Sequence, residues 1–281
     1  MSSPYRSKSA SPLSAASSPH LFAKHSTPQF FWELSLALIP FVLVSLIALG
    51  LNFFRVLAVS ISLSVFLGWI LHQKFHRSVA WSVSTSLWYG TLFALLIPST
   101  TPSWVIAFVL FLAVVLTEEL FGGFGEEIFH PALVGYLILA GLFQVGSKGV
   151  SAIQSTFSWG SILHVLAVIA GGTFLLVRRS IRWEPVLFYG LVLGVSLMAI
   201  GRNPIHEFFG SAAIFLFAFF FISDPLTSPL TKKGHLVYAF VAAFLTVGLR
   251  CWLGVLEALT SAFLLANSTV PLMDYVTRRK E

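Results

Sequence analysis

The sequence predicts an all-α polytopic membrane protein, about ten transmembrane helices arranged as two inverted five-helix repeats. Three observations lead there. Hydrophobic residues fill 57% of the 281 positions and charged residues only 10%, with mean hydropathy +0.87. Several apolar runs exceed the ~18 residues that mark a candidate span. The basic residues are not spread over the chain but confined to the tail and to short connectors between those runs.

Residues 1–30 come first, rich in Ser and Pro, with Arg6, Lys8 and Lys24 and no apolar core run. That composition reads as a disordered cytoplasmic tail and not as a signal peptide. The membrane domain follows over 31–281. Its apolar runs fall near 34–54, 56–71, 80–97, 103–120, 130–145, 159–177, 185–200, 208–222, 236–253 and 258–274. Ten crossings put both ends on one face.

The charges test that count. With a cytoplasmic N-terminus, the inside segments hold Arg6, Lys8, Lys24, Lys74, Arg77, Arg178, Arg179, Arg182, Lys232, Lys233, Arg278, Arg279 and Lys280. The outside ends hold only Arg55, Lys148, Arg202 and Arg250. This is a positive-inside bias, and an odd number of spans would put the terminal basic cluster on the wrong face. It also explains a pI near 9.7 without nucleic acid as a partner. The bacterial inner membrane, with both termini cytoplasmic, is the expected location, and lipid the first partner.

The connector Gly146–Ser158 divides the spans into repeats 34–145 and 159–275. An odd number of crossings per repeat makes the two inverted, an architecture that puts sites on broken helices where the repeats meet. Each repeat carries such a break. In the first, Phe121 to Tyr136 reads FGGFGEEIFHPALVGY, with Glu118 and Glu119 just before it. Glu126, Glu127 and His130 are candidates for binding a cation or relaying protons, because carboxylates at a membrane boundary titrate and suit hard cations. The plainer alternative is a solvated hairpin whose acids face headgroups. In the second, Phe221 to His235 reads FISDPLTSPLTKKGH. Asp224 before Pro225 favours a turn, and Lys232 and Lys233 are suited to an anionic phosphate or are an ordinary positive-inside connector.

Other chemistries find little support. A single cysteine, Cys251, excludes an internal disulfide and a cysteine-only metal or iron–sulfur site. A bis-histidine haem needs facing histidines, and of His164 and His206 only the first lies deep in a run. No metal is expected. Neither a phosphate-cradling GxxxxGK[ST] nor a Gly-x-Ser-x-Gly elbow occurs.

These motifs resemble the D subunit of the Rnf electron-transport complex and its relative, the B subunit of the sodium-pumping NADH:quinone oxidoreductase (Nqr). The resemblance covers most of residues 17–279. It rests on Ser18-Pro19-His20, on Phe121 to Tyr136, on Ser223-Asp224-Pro225-Leu226-Thr227 and on the ending Leu264 to Arg278. It implies ten spans in two inverted halves, other Rnf- or Nqr-like subunits as partners, and a role in ion-translocating electron transport.

It also implies a flavin site that this chain has altered. Family members carry FMN esterified to the threonine of a Ser-Gly-Ala-Thr motif, ten residues before the Asp-Pro. Counting back from Asp224 gives Ser211-Ala212-Ala213-Ile214, so the acceptor position is Ile214, which has no hydroxyl. Covalent FMN is therefore expected to be absent. A noncovalent flavin or quinone can still be held, with Ser211, Asp224 and Thr227 as the cofactor-binding candidates. In the first half the family usually reads Gly-Gln-Asn-Pro-Phe-Asn-Pro where this chain has Gly125 to Pro131, so neutral amides have become Glu126, Glu127 and His130. Two other readings stay open: a cation or small-solute transporter on the same fold, and an accessory membrane protein of a biosynthetic cluster.

Overall fold

Helices account for every secondary-structure element in the computed structural model, which describes residues 27–75, 79–119, 127–143 and 159–278. In chain order these are α1 (Thr27–Ala37), α2 (Ile39–Phe75), α3 (Val79–Leu96), α4 (Ser103–Val114) and α5 (Pro131–Phe143). Then follow α6 (Trp159–Arg178), α7 (Trp183–Ala199), α8 (Pro204–Gly210), α9 (Ala212–Leu216), α10 (Lys232–Leu249) and α11 (Val255–Arg278). The Gly122–Gly125 break, Glu126 and the dividing connector lie outside the described residues, as does the tail up to residue 26.

The first helix begins at Thr27, four residues inside the segment expected to be tail. Pro28 then occupies the first turn, where its missing N–H costs nothing. The run from Pro28 to Ile70 is 43 residues, about twice what ~30 Å of hydrocarbon needs at ~1.5 Å per residue. It is interrupted at Gly50, whose φ of 62° and ψ of −146° are not helical. A residue with a Cβ would resist that backbone. The sequence pattern put the boundary near Arg55; the glycine, not the charge, sets it. Arg55 instead donates to the carbonyls of Ser99 and Thr101 at 3.1 and 2.9 Å, holding the connector between α3 and α4.

Among the described residues two helical stretches, Pro28–Ile70 and Val255–Thr277, are long and apolar enough to cross a membrane, and α8 with α9 makes a third if that bent pair is one span. Shorter apolar helices cover Ser103–Thr117, Pro131–Phe143, Ile162–Arg178 and Trp183–Ala199. Large apolar side chains stand open on several helices, among them Ile47, Leu51 and Val177, and Trp252 does so in the turn between α10 and α11.

Packing follows residue size. On α11, Ala258, Ala262 and Ala266 recur every fourth residue and are all buried; α11 packs along α10, whose Ala239, Ala242 and Ala243 are buried as well. Small residues at that spacing let two helix backbones approach closely. Helix α10 also packs along α7, and α2 along α3. The two halves join where α1 and α2 meet α6 and where α5 meets α11. One tie is polar: Glu33 of α1, nearly buried, accepts from Arg178 at 2.7 Å and from the hydroxyl of Ser180.

Candidate functional site

Both breaks end a helix in the same way. A π-helical turn, Val115–Glu119, closes α4, and another, Phe217–Phe221, extends α9. Such wide turns offset the helical register and occur often at functional sites. Beyond each lies a buried carboxylate outside the helices, Glu127 in the first half and Asp224 in the second. Ahead of the second turn the chain also bends by 81° between α8 and α9.

In the first half, His130 caps the start of α5. Pro131 takes the first helical position, and the Ala132 N–H donates to His130 Nδ1 at 3.2 Å, so the imidazole does what a serine or aspartate side chain does at most helix starts. The ring is wholly buried, and its Nε2 has no hydrogen-bond partner among the described residues. Beside it, the Tyr89 hydroxyl of α3 donates to Glu127 Oε2 at 2.9 Å. The imidazole stands edge-on to the Tyr89 ring at 5.0 Å and to Phe221 at 4.9 Å. Phe221 belongs to the other half, so His130 and Phe221 place the two breaks in contact.

In the second half, Asp224-Pro225 turns the chain as expected. The Thr227 hydroxyl donates to Asp224 Oδ2 at 2.7 Å, and the Ser228 N–H to the Asp224 carbonyl at 3.1 Å. Asp224 lies in the connector, outside the helices, and is fully buried. Burial pushes its carboxyl up to about 6, against the opposing pull of the Thr227 hydroxyl and the backbone N–H groups of Leu226 and Thr227. Ser211 sits at the elbow between α8 and α9, buried, its hydroxyl without a partner among the described residues. Ile214, one turn on, is buried among apolar neighbours of the core. A phosphoester needs an oxygen there, and the side chain at that position supplies none.

The ending Leu264 to Arg278 proves to be the scaffold of the second break. The Tyr238 hydroxyl of α10 donates to Asn267 Oδ1 at 2.5 Å. The Leu230 N–H donates to Asp274 at 2.9 Å, and the hydroxyls of Thr231 and Thr277 meet at 2.7 Å. Lys232 and Lys233 stand exposed on the first turn of α10, behind the Thr231 cap.

The structure thus brings Glu127 and His130 together and joins Asp224 to Thr227. Ser211 lies at a separate elbow. Glu126 and the side chains of Glu118 and Glu119 are outside the described residues. No group of three or more His, Cys, Asp or Glu suited to a metal occurs among the described residues. Sequence reasoning missed Tyr89, Tyr189, Tyr238 and Asn267. A signal existed for one of them: Tyr238, Thr246 and Arg250 share one helix face by their spacing.

The model of the NQR2, RnfD, RnfE family matches residues 14–154 and 148–281. The chain is 24% identical to the D subunit of the Na(+)-translocating ferredoxin:NAD(+) oxidoreductase complex of Acetobacterium woodii, over 95% of this chain and 94% of that one. It is 28% identical to the D subunit of the ion-translocating oxidoreductase complex of Erwinia tasmaniensis, over 94% and 96% respectively. The corresponding D subunit of Klebsiella pneumoniae is 26% identical over 94% of this chain and 97% of its own length. Matched along both halves and nearly end to end with these relatives, the chain belongs to the NQR2, RnfD, RnfE family.

Proposed function

We propose that this chain is the D-type membrane subunit of an ion-translocating electron-transport complex. The observation that carries the reading is coverage: the family match runs through both halves, and relatives named as the D subunits of such complexes align over nearly their whole length. Under this reading the helices form ten spans in two inverted halves, with Gly50 separating the first two. The bent α8–α9 pair is one broken span. The exposed apolar side chains face lipid of the bacterial inner membrane. Both termini and the Lys232 end of α10 are cytoplasmic, as the distribution of basic residues argues. The chain is nearly all helical bundle, so electrons reach and leave it through partner subunits.

The covalent flavin is proposed to be lost. Ile214 occupies the aligned acceptor position, and Ser211, the neighbouring hydroxyl, is buried at the elbow. A noncovalent flavin or quinone held near Ser211, Asp224 and Thr227 is compatible with this loss. The carboxylate pair Glu127 and Asp224, buried at facing breaks, is where an ion or proton would be handled.

One purification tests both parts. The tagged full chain, drawn from native membranes in mild detergent, is expected to bring other Rnf- or Nqr-like subunits with it. Its own band on a denaturing gel is expected to show no flavin fluorescence and no mass increment of one FMN. A chain that purifies alone contradicts the assembly, and a fluorescent band contradicts the flavin loss.

A further inference from the structure

His130 does two things at once that other side chains do only singly. Within its own half it caps α5, its Nδ1 accepting from the Ala132 N–H at 3.2 Å. Across the boundary between the halves its ring meets Phe221 edge-on at 4.9 Å. Asparagine, aspartate or serine would cap the helix as well, and phenylalanine would fill the ring contact as well. Imidazole is the one aromatic ring that itself carries an acceptor nitrogen. Its other nitrogen, Nε2, has no hydrogen-bond partner among the described residues, so the cap is the only polar tie on a fully buried ring.

On each side of that contact the links continue to a buried carboxylate. Towards the first break, the imidazole stands against the Tyr89 ring at 5.0 Å, and the Tyr89 hydroxyl donates to Glu127 at 2.9 Å. Towards the second, Phe221 is the last residue of the π-helical turn. It stacks on Phe217, the first residue of that turn, at 4.5 Å, and the Ile222 N–H closes the turn on the Phe217 carbonyl at 3.1 Å. The Asp224 N–H then donates to the Phe221 carbonyl at 3.4 Å. Glu127, Tyr89, His130, Phe221 and Asp224 are therefore joined contact by contact across the two halves. Trp88 against Phe220, at 5.7 Å, is a neighbouring contact outside this series, and the Trp88 indole N–H has no partner among the described residues.

We propose that His130 is the positioning residue that couples the two breaks, so that a change of charge on Glu127 shifts the backbone that holds Asp224. The proposal deepens the ion-translocating reading above and rests on it, naming the link through which its two buried carboxylates act in concert. An ionised carboxylate holds a donor hydroxyl more strongly than a neutral one. Gain or loss of charge at Glu127 therefore moves the Tyr89 ring against the imidazole. Close-packed interiors transmit such a displacement. Anchored to α5 through Nδ1, the imidazole passes it to Phe221, and the π-helical turn, already offset from helical register, carries it to Asp224.

The test measures electron flow and ion uptake together, in inverted vesicles from cells making the full complex. Electron flow is read as oxidation of reduced ferredoxin or NADH. Uptake is read with radioactive sodium and, in parallel, with a pH-sensitive acridine dye. His130→Asn keeps a cap on α5 and removes the ring, whereas Phe221→Leu removes the ring on the other side. Each is expected to lower the number of ions moved per electron by about tenfold, the scale on which sites couple, with the complex still assembled. The double variant is expected to fall no further, because either substitution alone already breaks the contact. Phe220→Leu, which loosens the neighbouring Trp88 contact, is expected to keep the wild-type ratio.

If one of the two single variants fails to assemble, the other decides. Failure of both to assemble makes the contact merely structural and overturns the link. So does a wild-type ratio in either assembled variant, a double variant whose losses multiply, or a Phe220→Leu ratio that falls as far. Wild-type vesicles with electron flow but no uptake fail the ion-translocating reading itself.

Discussion

Gly171→Val is expected to cause a severe loss of stability. Helix α6 crosses α1 so closely that a Cβ on Gly171 would collide with the Ala37 carbonyl oxygen. That oxygen belongs to backbone, and α1 is tied to the end of α6 by the Glu33–Arg178 pair, so neither side can yield cheaply. Overpacking of this kind costs about 3 kcal/mol or more. The midpoint of thermal unfolding in detergent should fall by roughly 6–12 °C. Gly190→Ala on α7 is the control, since nothing lies within 4 Å of the added Cβ. A Gly171→Val protein that melts with the wild type would show that α1 and α6 are not packed as described.

Glu127→Gln is expected to have a large functional effect for a small change in shape. The amide oxygen can still accept from Tyr89, so the 2.9 Å hydrogen bond survives, and the helix start at His130 is untouched. What disappears is a group that can carry charge or a proton. Ion uptake coupled to electron flow is expected to fall about tenfold or more, equivalent to at least ~1.4 kcal/mol, with assembly of the complex unchanged. Tyr89→Phe is expected to fall between the two, because it leaves the carboxylate in place but removes one of its donors. Uptake unaffected by Glu127→Gln would reduce this carboxylate to a structural tie between α3 and the first break.

How much of the fold and the site was legible in the sequence depended on distance along the chain. The apolar runs announced the helices, and Asp224-Pro225 with Thr227 three residues on announced its own turn, because those contacts are local. Gly50 was harder: it lies inside an unbroken apolar run, and pattern alone preferred the charged Arg55 as a boundary. The Tyr89–Glu127 bond spans 38 residues and the Glu33–Arg178 pair 145, so neither partner names the other in the sequence. His130 was picked out for its proton chemistry, yet its place against Phe221 of the opposite half is purely tertiary. The ending Leu264 to Arg278 looked like a family signature with no evident purpose; in the structure its Asn267, Asp274 and Thr277 hold α10 and the second break in position.

The most direct measurement is ion uptake by inverted membrane vesicles from cells with and without this chain, driven by reduced ferredoxin or NADH. Uptake should vanish without the chain and return when the wild-type protein is resupplied. Uptake that proceeds unchanged in its absence would mean that the chain is no part of an ion-translocating machine, whatever its ancestry.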